Sequence, residues 1–106
     1  MPKYLLAAKF TAEGLEGLRH DGGTARRAAV ERAAESLGGS LESFHFAFGD
    51  HDTYTIVTLP DAESAAALSV AVSASGAVTS KVVVLLTPVE VDAAMQRSVD
   101  YRRPGA

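Results

Sequence analysis

Residues 40–59 constrain the fold most, because their side chains alternate between two faces. Within residues 40–48, Phe44, Phe46 and Phe48 share one face, and His45 lies among the residues of the other face. The polar stretch Gly49–Asp52 follows, and Thr53–Leu59 is rich in β-branched and aromatic residues. This pattern predicts two antiparallel strands joined by a short turn.

Strands and helices are also predicted on either side of this hairpin. Residues 4–10 alternate between two faces, and residues 78–86 form the most β-like run of the chain. Helical spacing between capping residues and glycine stops predicts four helices, with a capping box at the start of the last one. The helices are predicted over Thr11 to His20, Thr24 to Leu37, Asp61 to Gly76, and Pro88 to about Gln96.

The order of these elements predicts an α+β fold. It is the β-α-β-β-α-β pattern of ferredoxin-like domains, with a four-stranded antiparallel sheet and an added C-terminal helix. The chain of 106 residues has the length of one domain. We expect residues 1–98 to form that domain and residues 99–106 to form a tail with little to bury.

Composition excludes several classes of protein. The chain has no cysteine, so it has no disulfide, thiolate metal site or cysteine nucleophile. A net charge of −3 and a pI near 5.5 argue against nucleic acid as a partner. The apolar run at the N-terminus is interrupted by Lys9, too early for a signal peptide or a membrane span. We therefore expect a cytoplasmic protein with no membrane partner.

The helices are expected to cover one face of the sheet and leave the other open. The residues assigned to the covered face are Tyr4, Leu6, Ala8, Phe10, Phe44, Phe46, Phe48, Tyr54, Ile56, Val82 and Val84. Those assigned to the open face are Leu5, Ala7, Lys9, Ser43, His45, Ala47, Thr53, Thr55, Val57, Thr79, Lys81, Val83 and Leu85. The second set is too apolar for a solvated face and too polar for a dry core. It predicts a homodimer or higher homo-oligomer whose sheets enclose a ligand cavity.

Five polar residues are the candidate site. His45 would act as a general base or bind an anionic ligand, and Lys9 and Lys81 would hold a carboxylate or an oxyanion. Ser43 and Thr55 would orient the ligand. Each also has a purely structural interpretation, because hydroxyls are common on strands and lysines reach solvent at a sheet rim.

The turn at Gly49–Asp52 contains acidic and imidazole groups that could in principle bind a metal. Neighbouring turn residues usually point apart, and the sequence has no second cluster of ligands, so no metal site and no cofactor are expected. A solvated turn is the favoured interpretation. Gly49 and Asp52 are predicted to be structural, with Asp52 accepting backbone hydrogen bonds that fix the turn.

These features together resemble the GYD family, small proteins of the dimeric α+β barrel superfamily. The resemblance runs from about residue 4 to residue 90. It rests on Lys9-Phe10-Thr11 followed by Gly14, Gly38-Gly39, the Gly49–Asp52 turn, Leu59-Pro60-Asp61, and Gly76 before the fourth strand. His51 stands where the family usually has the tyrosine of its name. The resemblance implies the barrel fold and an oligomer, and it implies little about function.

Two functions remain open from the sequence. One is a non-catalytic small-molecule binder or accessory protein, because the chain has no acid–base pair or metal set. The alternative is a cofactor-free enzyme of the barrel superfamily, a monooxygenase or isomerase acting on an aromatic or polyketide-like compound. In that case His45 would be the base, and Lys9 and Lys81 would stabilise the oxyanion. A purely structural oligomer with a filled lumen is a third possibility.

Overall fold

The computed structural model describes residues 1–106 as four strands and four helices. In chain order they are β1 (Lys3–Phe10), α1 (Ala12–Asp21), α2 (Gly23–Ser36), β2 (Ser40–Phe46), β3 (Thr53–Thr58), α3 (Ala62–Ala74), β4 (Val78–Leu85) and α4 (Pro88–Met95). The strands form one antiparallel sheet in the order β2-β3-β1-β4. The predicted α+β class and four-stranded sheet are confirmed, and the topology is consistent with a ferredoxin-like fold.

Three of the four helices begin where the sequence indicates, and α2 begins at Gly23, one residue before its predicted start. Thr11 and Asp61 cap α1 and α3, because each side chain accepts a hydrogen bond from the backbone N–H three residues later. At the start of α4, the Thr87 hydroxyl accepts from the backbone N–H of Glu90, and the Glu90 carboxylate accepts from that of Thr87. Gly22 alone separates α1 from α2, since its φ of 87° favours glycine.

The core lies between one face of the sheet and the helices. The larger apolar cluster joins β1 and β3 to α2 and α3 through Tyr4, Leu6, Ala34, Val57, Leu59, Ala65 and Leu68. The smaller cluster consists of Ala8, Phe10 and Val78, with Leu18 and Phe46 packed against it. Both clusters use residues of β1 that alternate along the strand, so the helices cover only this face.

The prediction of which face each residue of β3 occupies was wrong. Tyr4 is paired with Val57 and Leu6 with Thr55, and directly paired residues of an antiparallel sheet point to the same face. Thr53, Thr55 and Val57 therefore lie on the covered face, and Tyr54 and Ile56 lie on the open face. A shift of one residue in register turns over a whole strand, and hydrophobicity alone did not fix that register.

The hairpin loop is longer than the sequence suggests. Phe46 is paired with Thr53, so β2 ends two residues before Phe48. Phe48 has a φ of 55° and is 60% exposed, and its ring stacks on Phe46 at 5.7 Å between centroids. Phe48 therefore lies beyond the end of β2 and is not buried under the helices, although its ring keeps contact with Phe46 of the covered face. Residues 47–52 form the connection between the two strands.

Helix α4 projects from the rest of the chain. None of its residues is buried, and Val89, Val91 and Met95 expose their side chains. The Cα radius of gyration is 16.6 Å, whereas a compact chain of this length would have about 13 Å. The C-terminal apolar surface thus has no partner within the protomer. None of the helices has the length and apolar composition to cross a membrane.

Candidate functional site

The open face of the sheet combines an apolar strip with charged side chains at its border. The apolar members are Leu5, Ala7, Tyr54, Ile56, Val83 and Leu85, placed there by the register of the strands. Tyr54 and Val83 are exposed, as are Lys9, His45, Thr79 and Lys81. A surface of this composition can bind a partner or a ligand, because the apolar strip gains from leaving water.

The structure separates His45 from the two lysines. His45 pairs with Tyr54, Tyr54 with Ala7, and Ala7 with Lys81, so these four residues form one row across the sheet. Adjacent strands lie about 4.8 Å apart, which puts the backbones of His45 and Lys81 about 14 Å apart. Ser43 lies beside His45 on the same edge strand. His45 and Lys81 are therefore not neighbours within one chain, and two residues lie between them on the sheet.

Thr55 lies on the opposite face from the other four predicted site residues. It is 3% exposed and faces the helices, because it pairs with Leu6 of the core. The open-face site therefore does not include Thr55, although the sequence assigns it there.

The lysines do come together in a depression at the other end of the open face. We call it the lysine pocket; it has a volume of about 510 Å³. Its lining residues are Ala7, Lys9, Asp50, His51, Thr79, Ser80 and Lys81. Lys9 pairs with Thr79 and Lys81 pairs with Ala7, so neighbouring strands β1 and β4 supply both ammonium groups.

Asp52 ties the hairpin loop to β1, and its loop neighbours Asp50 and His51 line the pocket. Its Oδ2 accepts a hydrogen bond from the backbone N–H of Phe10 at 2.8 Å. Its own backbone N–H donates to the carbonyl of Ala8 at 2.8 Å, and its carbonyl accepts from Ala47 at 2.9 Å. The first two bonds tie the loop to the end of β1, and the third closes residues 47–52 on themselves. Asp52 is only 7% exposed, so solvent competes little with the bonds.

His51 is the histidine that the loop brings to the lysine pocket. Its ring meets the edge of the Tyr54 ring at 5.7 Å between centroids, and its Nδ1 lies 3.5 Å from the Tyr54 hydroxyl. That separation is at the limit of a hydrogen bond, so the aromatic contact is the firmer of the two. The loop thus places an imidazole beside Lys9 and Lys81, where the sequence places His45.

The charges of the pocket favour an anion bound near Lys81. Lys9 Nζ lies 4.0 Å from Asp52 Oδ1, so Lys9 is partly neutralised. Lys81 forms no ion pair, whereas Asp50 adds one carboxylate to the lining. An unpaired ammonium group in a pocket that also holds an imidazole suits a carboxylate or phosphate oxygen. No group of three or more histidine, aspartate or glutamate side chains has the spacing of a metal site.

Two residues of this site, His51 and Tyr54, were missed by the sequence analysis. His51 was interpreted as part of a solvated turn, and Tyr54 was placed on the wrong face. The sequence signal for His51 was Asp52 itself, because a buried carboxylate that binds the β1 backbone must draw the loop onto the sheet. The register that brings Tyr54 to the open face has no comparable local signal.

Comparison with known proteins is consistent with this fold. A protein-family model described as the GYD domain matches residues 4–95, which includes all four helices and all of the strands except the first residue of β1. Neither a comparison with curated proteins nor one with solved structures found a match. Because the family model covers most of the sequence, the chain belongs to the GYD domain family.

Proposed function

We propose that the chain is a homo-oligomeric binding protein that holds a small anionic molecule in the lysine pocket of the open sheet face. The observation that supports it most is the composition of that face. It carries an apolar strip beside an unpaired ammonium group, and no helix of the protomer covers either.

The size of the face supports a dimer that also uses α4. Four strands of six to eight residues form the sheet. With about 4.8 Å between strands and about 3.3 Å per residue, one face measures about 440 Å², and two facing sheets cover about 900 Å². Stable interfaces bury at least about 1,000 Å². The exposed apolar side chains of α4 would supply the rest, which explains why no element of the protomer covers them.

The oligomer is tested by placing a charge at the centre of the face. Ile56 pairs with Leu5 and Ser43 on the open face, so Ile56→Glu would bury a carboxylate between two facing sheets. We expect size-exclusion chromatography with light scattering to give an oligomer for the wild type and a folded monomer for Ile56→Glu. Val70→Glu is the matched control, since Val70 is 66% exposed on α3 and away from the sheet. An Ile56→Glu protein with the wild-type mass would contradict the open face as the interface.

The lysine pocket is tested with small anions that carry the same charge but differ in shape. A panel of small carboxylates, each paired with its neutral amide, can be screened by ligand-observed NMR against the full chain. We expect binding of at least one carboxylate and a loss of about tenfold or more in Lys81→Ala. Lys3→Ala is the control, because Lys3 lies at the other end of β1 and is paired with Glu42 at 2.7 Å. Equal binding by Lys81→Ala and the wild type would contradict the pocket assignment.

A further inference from the structure

A second cavity lies on the covered face, between the sheet and helices α2 and α3. We call it the inner cavity; its volume is about 100 Å³. Apolar side chains from β1, β2, α2 and α3 form most of its lining, among them Phe44 and Leu68. It shares neither lysine nor His51 with the lysine pocket.

Two threonine hydroxyls line this cavity without a hydrogen bond to protein. Thr53 and Thr55 line it, and each residue is only 3% exposed. Neither hydroxyl makes a hydrogen bond with a protein atom, whereas the nearby Ser80 hydroxyl is paired with those of Ser69 and Ser73. The one buried side-chain nitrogen or oxygen atom without a partner is Nε of Arg26, so the two hydroxyls are not enclosed by protein and are reached from the cavity. A molecule held in the cavity can accept a hydrogen bond from each of them.

A guanidinium group stands at the same cavity. Arg26 of α2 is half-buried, and its Nε is buried with no hydrogen-bond partner. Burial lowers the pKa of Arg26 from its ordinary value, and its only close aromatic contact is with the ring of Phe10 at 5.7 Å. Its neighbour Arg27, by contrast, pairs with Glu31 at 3.6 Å. Arg26 also lines an outer depression beside Asp21, so it stands between the inner cavity and solvent.

We propose that the inner cavity is a second binding site, for a small monocarboxylate with a short apolar body. The carboxylate binds the guanidinium of Arg26, which matches its planar geometry, and the Thr53 and Thr55 hydroxyls donate to its oxygens. The apolar body lies against Phe44 and Leu68. Engineered apolar cavities of about 150 Å³ accept benzene, so a cavity of about 100 Å³ accepts an acid of about four carbon atoms.

Titration of the full chain with sodium butyrate tests this proposal. Butyramide is the neutral counterpart of the same shape, and sodium chloride at equal ionic strength controls for salt. In two-dimensional ¹H–¹⁵N NMR, we expect butyrate to cause saturable shifts of the Thr53, Thr55 and α2 amide signals. The dissociation constant of butyramide should be at least about tenfold higher than that of butyrate. Butyrate that causes no saturable shifts at these residues, or butyramide that binds equally well, would overturn the proposal.

Variants separate the inner cavity from the lysine pocket. Arg26→Met and the isosteric Thr55→Val should each weaken butyrate binding by about tenfold or more, whereas Arg27→Met should leave the dissociation constant unchanged. Thr55→Val should melt no lower than the wild type, because its hydroxyl has no partner to lose. Butyrate binding that survives Arg26→Met and disappears in Lys81→Ala would refute the inner site while supporting the lysine pocket.

Discussion

Replacing Asp52 with alanine should destabilise the fold by removing one buried hydrogen-bond acceptor. The Asp52 carboxylate accepts from the backbone N–H of Phe10 at 2.8 Å, and both residues are buried. A hydrogen bond to a charged group contributes about 1.5–3 kcal/mol, and its loss here leaves a buried N–H without a partner. The ion pair with Lys9 adds little, because its ammonium group is exposed and 4.0 Å away. We therefore expect the free energy of unfolding to fall by about 2 kcal/mol.

Urea denaturation followed by circular dichroism measures this loss. With a slope of about 1.5 kcal/mol per molar urea, the midpoint should fall by about 1.3 M in Asp52→Ala. Asp52→Asn keeps an oxygen acceptor without the charge, so it should lose about half as much. All proteins are compared at one protomer concentration, since assembly would shift the midpoint.

The matched control for this series is Asp50→Ala. Asp50 is exposed, lies in the same loop and makes no hydrogen bond through its side chain, so its replacement should change stability by less than about 0.5 kcal/mol. If Asp52→Ala unfolds at the same urea concentration as Asp50→Ala, the loop is not held to β1 by this carboxylate. The placement of His51 in the lysine pocket would then lose its structural basis.

Two further perturbations test the packing of α1 and the cap of α3. Gly14→Ala should cost about 1–3 kcal/mol, because a Cβ there would lie 2.0 Å from the carbonyl oxygen of Ala77. In the same helix, a Cβ added at Gly17 would meet nothing within 4 Å, so Gly17→Ala should stabilise the fold by about 0.5–1 kcal/mol. Thermal melting measures both changes. Hydrogen bonds from the Ser64 hydroxyl and backbone N–H lower the pKa of Asp61, so its capping stabilises at neutral pH and weakens as acid protonates it. The stability gap between the wild type and Asp61→Ala should therefore be largest near pH 7 and shrink below pH ~4; a gap constant with pH would contradict the charged cap.

The fold was predictable because its signals are local. Thr11, Asp61 and the Thr87–Glu90 capping box begin three helices where the sequence places them, since each cap needs only a side chain and the N–H three residues later. The alternation within β1 fixes its buried face in the same way. These signals suffice to specify an α+β chain with four strands.

The candidate site was only partly predictable because it depends on pairing between distant segments. Lys9 and Lys81 were correctly placed on one face, as their strands follow from alternation and topology. The choice between Tyr54 and Thr55 for that face depends on the register of β3 against β1, which no residue of β3 encodes alone. The place of His51 depends on a hydrogen bond between residues 42 positions apart, Asp52 and Phe10.

The proposal that the open face is the interface between chains is tested most directly by sedimentation equilibrium of the full chain at micromolar concentration. We predict a mass of at least twice the 11.0 kDa of one chain. The mass should fall to that of one chain in Ile56→Glu and stay unchanged in Val70→Glu, with native circular dichroism in both. A wild-type protein that sediments as a folded monomer of 11.0 kDa would contradict the proposed assembly.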